Sequence, residues 1–194
     1  MRLSKLLLAA VGATVLLGAL VSSASARNLS TSSQTIRMFW SRMDFRGGFG
    51  TVECELILRG SLHTRTSTKT LGSLIGFITE GNVPRCARGS ATISIVSFPW
   101  HRRYRGFTGT LPSVSTVSDT ITGAEWTIRE PFGITCGMAR ESTSTIATYA
   151  LTIGIVSSAA LSGEGTCGGL VMAFSGSTTN VVDGSGTRLT VTLI

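Results

Sequence analysis

The chain has 194 residues, with 17 basic and 10 acidic side chains, a net charge of +7 and 42% apolar residues. That apolar fraction excludes a disordered chain, and two histidines with four widely spaced cysteines argue against a metal centre. Charged residues make up only 14% of the sequence, so a catalytic constellation has few groups to draw on.

Residues 1–26 read as an export leader. Arg2 and Lys5 form a positive start, Leu6 to Val21 is an uncharged apolar run, and Ala24-Ser25-Ala26 supplies the small residues of a cleavage site. The apolar run is short for a membrane span, which needs about 20 residues. No cysteine stands near the cleavage site, so the product is expected to be secreted after cleavage behind Ala26, with no membrane span and no lipid anchor. Residues 27–194 then form one domain. They carry 15 basic and 10 acidic residues, a net charge of +5, and Lys69 is their only lysine.

In chain order, the dominant period beyond the leader is two. Weaker strands fit at about 34–40, 70–79, 90–97, 124–129 and 169–175. The clearest is Thr51 to Arg59, where Val52, Cys54, Leu56 and Leu58 oppose Glu53, Glu55 and Arg59. Ala147 to Ile155 alternates in the same way, and so do the last seven residues. Turn signals stand at Gly47-Gly48, Gly81-Asn82, Gly163-Glu164-Gly165 and Asp183-Gly184. No amphipathic helix interrupts the pattern. The expectation is an all-β protein, an antiparallel sandwich or barrel. A membrane barrel is the lesser alternative, because aromatics for two interfacial girdles are few.

An even cysteine count in an exported chain reads as two disulfides. Cys54 follows FGTVE and Cys136 follows FGIT, and Cys86 and Cys167 come about 31 residues later. With an F-x-G after each, this suggests an internal duplication offset by about 82 residues, with pseudo-repeats near 34–110 and 124–194. The pairing it favours is Cys54–Cys86 with Cys136–Cys167, one of three connectivities.

The stretches GGFGTVECEL, GSLIGFIT, RCARGSAT and PWHRRYRGFTGTLP resemble those of secreted proteins of unknown function from soil actinobacteria. The resemblance runs through much of Phe45 to Pro112. It implies an exported single domain and carries over no catalytic residue.

Several strings look like chemistry and are better explained otherwise. Glu53 and Glu55 could approach glycosidase spacing, yet carboxylates two apart on a strand are ordinary on a solvated face. Gly163-x-Gly165-x-x-Gly168 matches a dinucleotide fingerprint but precedes a strand rather than a helix. Asp183-Gly-Ser-Gly lacks the alternating oxygen ligands of a calcium loop. No G-x-S-x-G turn marks a serine nucleophile. No cofactor is implied.

One stretch stands out. FPWHRRYRGF, Phe98 to Phe107, puts three arginines, a histidine and four aromatics into ten residues. As a strand it places Phe98, Trp100, Arg102 and Tyr104 on one face and His101, Arg103, Arg105 and Phe107 on the other. With Pro99 lacking an N–H, it reads as an edge strand. Trp100, His101, Arg102, Arg103, Tyr104 and Arg105 are therefore the candidate binding residues for an anionic cell-surface polymer: teichoic acid, an acidic polysaccharide or another polyanion. The opposing explanations are an edge guarded by charge, and a small secreted hydrolase using His101 with a serine and one of Asp44, Asp119 or Asp183. The favoured reading is a non-catalytic binding or structural module.

Overall fold

The computed structural model describes residues 28–48, 50–109, 114–139, 142–151, 154–167 and 170–193; the expected leader lies outside them. Its first strands are β1 (Leu29–Thr31), β2 (Thr35–Gly47), β3 (Gly50–Leu62), β4 (Thr66–Ser67), β5 (Leu74–Asn82), β6 (Cys86–Ala87) and β7 (Ser90–Ile93). A 3-10 turn at Ile95–Ser97 leads to β8 (Trp100–Thr108), β9 (Thr116–Thr122), β10 (Glu125–Arg129) and β11 (Thr135–Ala139). The rest are β12 (Ser142–Leu151), β13 (Gly154–Cys167), β14 (Leu170–Thr178), β15 (Asn180–Val182) and β16 (Val191–Leu193). The all-β expectation holds.

The sheet runs β2-β14-β13-β12-β9-β8-β5-β3, and β3 pairs back onto β2, so the ring closes as an antiparallel barrel. Closure removes the free edges that an open sheet must protect. Two three-stranded sheets accompany it, β7-β10-β11 and β4-β1-β16.

Alternation determines what fills the barrel. Val52, Cys54, Leu56, Leu58 and Leu62 of β3 are buried, as are Ile36, Met38 and Trp40 of β2. A register shift between Trp40 and Met43 then changes the parity of β2, so that Met43 and Phe45 are the next buried apolar residues. Trp126 of β10 joins the same core, its ring 5.6 Å from Phe45, 5.3 Å from Trp100 and 5.7 Å from Phe174. Aromatic pairs at such spacings add to the area they bury. A second, smaller cluster of Leu29, Ile75, Tyr104, Val114 and Val191 lies under the β4-β1-β16 sheet. It borders a cavity of about 30 Å³, room for one or two waters.

Cys54 and Cys86 form a disulfide between β3 and β6. Cys136, on β11, is also disulfide-bonded; the side chain of its expected partner Cys167 lies outside the description. The two cysteine-centred stretches sit in different layers, Cys54 in a barrel strand and Cys136 in the small sheet.

Several sequence expectations need correcting. The run expected as one strand over 147–155 is shared by two antiparallel strands, which pair as Leu151↔Gly154. Alternation continued through the reversal and hid it. Gly163 and Gly165 lie within β13 and Gly81 within β5, all in paired register rather than at turns. The second half of 90–97 is a 3-10 turn, and among the described C-terminal residues the strand is Val191–Leu193.

Candidate functional site

The stretch 98–107 is not an edge. β8 pairs with β5 on one side and β9 on the other. Pro99 precedes the first strand residue, so its missing N–H removes no ladder bond.

Its inner face is core. Trp100 is 1% exposed, Arg102 2% and Tyr104 5%. These three candidate binding residues are therefore withdrawn from the surface, each for a physical reason. Trp100 stacks on Phe98 at 4.7 Å and its indole N–H donates to Ser97 Oγ at 2.8 Å. Tyr104 belongs to the smaller apolar cluster, where burial pushes its phenol up. Arg102 Nε donates to Asp119 Oδ2 at 2.6 Å, and both side chains are almost fully buried. Asp119 stands on β9, opposite Tyr104 and opposite Ser144 of β12. Burying two charges is tolerable only because each neutralises the other at hydrogen-bond distance.

The outer face carries His101, Arg103 and Arg105. Arg103 Nη1 donates to the Gly72 carbonyl at 3.1 Å, and Arg105 Nη1 to Thr143 Oγ1 at 2.9 Å. Among the described residues no carboxylate pairs with either guanidinium. His101 lies beside Phe77, ring centroids 5.3 Å apart, and Phe77 meets His63 edge-on at 4.8 Å. A register shift between Tyr104 and Gly106 leaves Arg105 as an extra residue on β8. Past it, Phe107 packs towards the smaller apolar cluster instead of joining the outer face. Lys69 Nζ stands 5.4 Å from the Phe107 ring.

Hydroxyls flank these cations. Thr116, Ser118, Thr120 and Thr122 alternate on β9 with the inward Asp119 and Ile121, and Thr143 and Thr145 continue the array on β12. Ser118 Oγ and Thr145 Oγ1 are 3.3 Å apart, and Thr108 Oγ1 and Thr116 Oγ1 are 2.6 Å apart. The period-two string TVSDTIT could have revealed this array from sequence, but none of the expected strands covers it.

On the outer surface of β2 and β3, Arg42, Arg46 and Arg59 have acidic partners, while the exposed Arg37 of β2 has none among the described residues. Arg42 bridges Asp44 at 2.7 Å and Glu53 at 3.2 Å, Arg46 reaches Asp44 at 3.2 Å, and Arg85 holds Glu55 at 2.6 Å. The Arg42 hydrogen bond, helped by Arg46, holds the Asp44 carboxyl below the usual carboxylate range, although burial opposes it. Glu53 and Glu55 are thus engaged by separate arginines. The aspartates considered for a triad are likewise placed away from His101. Asp44 is on β2, Asp119 is inside the barrel, and Asp183 accepts from Ser185 and Thr187 in its own turn.

No family model, curated protein or solved structure matches the chain.

Proposed function

We propose that this chain is an exported, non-catalytic binding module that attaches to an anionic cell-surface polymer, such as teichoic acid or an acidic polysaccharide, through the outer face of β8. The observation that carries this reading is the pair Arg103 and Arg105. Both are exposed, both are held by neutral acceptors, and neither has a carboxylate partner among the described residues. A guanidinium bonded to a neutral oxygen keeps its charge and further donors for a phosphate or carboxylate. The adjoining Thr and Ser hydroxyls suit the polyol or sugar units between such groups, and His101 with Phe77 offers ring surface beside them. Residues 1–26 act as the leader in this proposal, and Cys136 pairs with Cys167, in keeping with the resemblance to secreted actinobacterial proteins.

The test uses protein recovered after export, with its N-terminus verified, co-sedimented with cell-wall sacculi before and after removal of teichoic acid. Binding should depend on the polymer and weaken as salt is raised. Each of Arg103→Ala and Arg105→Ala should lower affinity by roughly tenfold, the scale of one charge-assisted hydrogen bond. No binding at low salt, or binding indifferent to both substitutions, would refute the proposal.

A further inference from the structure

At the end of the barrel where β2 turns into β3, the glycines of the hairpin tip fit between two other segments. A Cβ on Gly47 would lie 1.8 Å from Glu130 Oε1 and 3.1 Å from Met172 Cε; one on Gly48 would lie 2.8 Å from Leu170 Cδ1. A Cβ on Gly50 would lie 3.8 Å from Pro131. These approaches bring the tip, the β10–β11 turn and the start of β14 together, and a side chain on Gly47 or Gly48 would have to displace the side chains of Glu130, Met172 or Leu170. Phe132, Leu170 and Val171 emerge there, exposed by 80%, 47% and 66%. Large exposed apolar side chains grouped in one place mark an interaction surface.

The rim is basic. Arg129 ends β10, and a Cβ on Gly89 would lie 2.4 Å from the Arg129 carbonyl, which brings neighbouring Arg88 to the same end. Arg88 and Arg129 are exposed and have no carboxylate partner among the described residues. Arg46, paired with Asp44, flanks the opposite side through its register with Ala173 of β14. Glu164, also opposite Ala173, is the exposed carboxylate beside them, and Glu130 is buried beneath.

We propose that this end docks onto an anionic lipid bilayer, Phe132, Leu170 and Val171 entering the interface while Arg88 and Arg129 meet the head groups. Apolar insertion with cationic attraction is the combination that holds a protein on an anionic membrane. Arginines without carboxylate partners select this occupant over a second copy of the chain, which would present the same positive rim. The site lies at the far end of β3 from the strand register that places Arg103, because β5 joins Leu62 of β3 through Gly76 to Arg102 and through Leu74 to Arg103.

The experiment is flotation of the processed protein with neutral phosphatidylcholine vesicles and with vesicles containing phosphatidylglycerol. Recovery is expected with the anionic vesicles, falling by about tenfold in Phe132→Ser/Leu170→Ser and in Arg88→Gln/Arg129→Gln, but unchanged in Arg103→Ala/Arg105→Ala. Circular dichroism and thermal melts establish that the variants are folded. Absence of flotation, equal flotation of the Phe132→Ser/Leu170→Ser variant, or self-association that this variant abolishes would overturn the inference. The Arg103→Ala/Arg105→Ala arm separates this result from the polymer site: loss of flotation there would assign lipid binding to β8 instead.

Discussion

Arg102 and Arg103 are neighbours on one strand and behave as opposites. Arg102 points into the barrel, is 2% exposed and is held by Asp119 at 2.6 Å. Arg103 points outward and bonds only a neutral carbonyl among the described residues. The pleat makes the difference: one residue along a strand exchanges core for solvent. The inner arginine has a partner because an unpaired buried charge is prohibitive; the outer one can remain available because water solvates it. The inner face therefore supports stability, while the outer face is where a ligand can act.

The largest effect expected is on the inner side. Arg102→Ala leaves Asp119 buried without its cation and should cost about 3–5 kcal/mol in denaturant unfolding. Replacing both partners, as Arg102→Met/Asp119→Leu, should restore stability to within about 1 kcal/mol of wild type or exceed it. A double variant as unstable as Arg102→Ala would mean that the pair does more than satisfy itself. Next comes the covalent tie between β3 and β6. Cys54→Ala/Cys86→Ala should lose about 3.5 kcal/mol by loop entropy at this separation, read in the same experiment.

On the outer side, stability should barely respond. Arg103→Ala/Arg105→Ala should shift unfolding by no more than about 0.5 kcal/mol, as for exposed residues generally. A larger loss would give the outer arginines a structural role and erase the contrast. The smallest effect concerns Asp44 on the salt-bridged face. Its carboxyl is depressed in the folded state, so its contribution is complete above the unfolded value of about 3.9 and is lost as pH falls through the lower folded value. Asp44→Asn should remove that portion of acid sensitivity, seen as a shallower decline in unfolding free energy below about pH 4; an unchanged acid limb would contradict it.

How legible this was depended on where local pattern and tertiary pairing agreed. The alternation of β3 placed Val52, Cys54, Leu56 and Leu58 inside, as they are. Parity along β8 separated Trp100, Arg102 and Tyr104 from His101, Arg103 and Arg105. What sequence could not supply was the partner across the barrel: Asp119 lies 17 residues away from Arg102, and without it an inward arginine reads as an exposed one. Bulges were equally silent. The shifts between Trp40 and Met43 and between Tyr104 and Gly106 arise from pairing across strands, and the second sent Phe107 inward. Gly81, Gly163 and Gly165 misled, because they lie in paired strands and not at turns. Gly60 and Gly76, which carry no turn signal, show what glycine does in this barrel, since a Cβ on Gly60 would run into the Phe77 carbonyl and one on Gly76 into the Ser61 carbonyl. There glycine permits close strand approach rather than a turn.

The most direct test of the central claim sets the two faces of β8 against each other in one titration of purified teichoic acid across a salt series. Arg102→Met/Asp119→Leu should bind as wild type does, while Arg103→Ala/Arg105→Ala, equally folded, should bind about a hundredfold more weakly, as two charge-assisted contacts would require. Undiminished binding by the outer-face variant, or loss of binding only in a folded inner-face variant, would contradict the account.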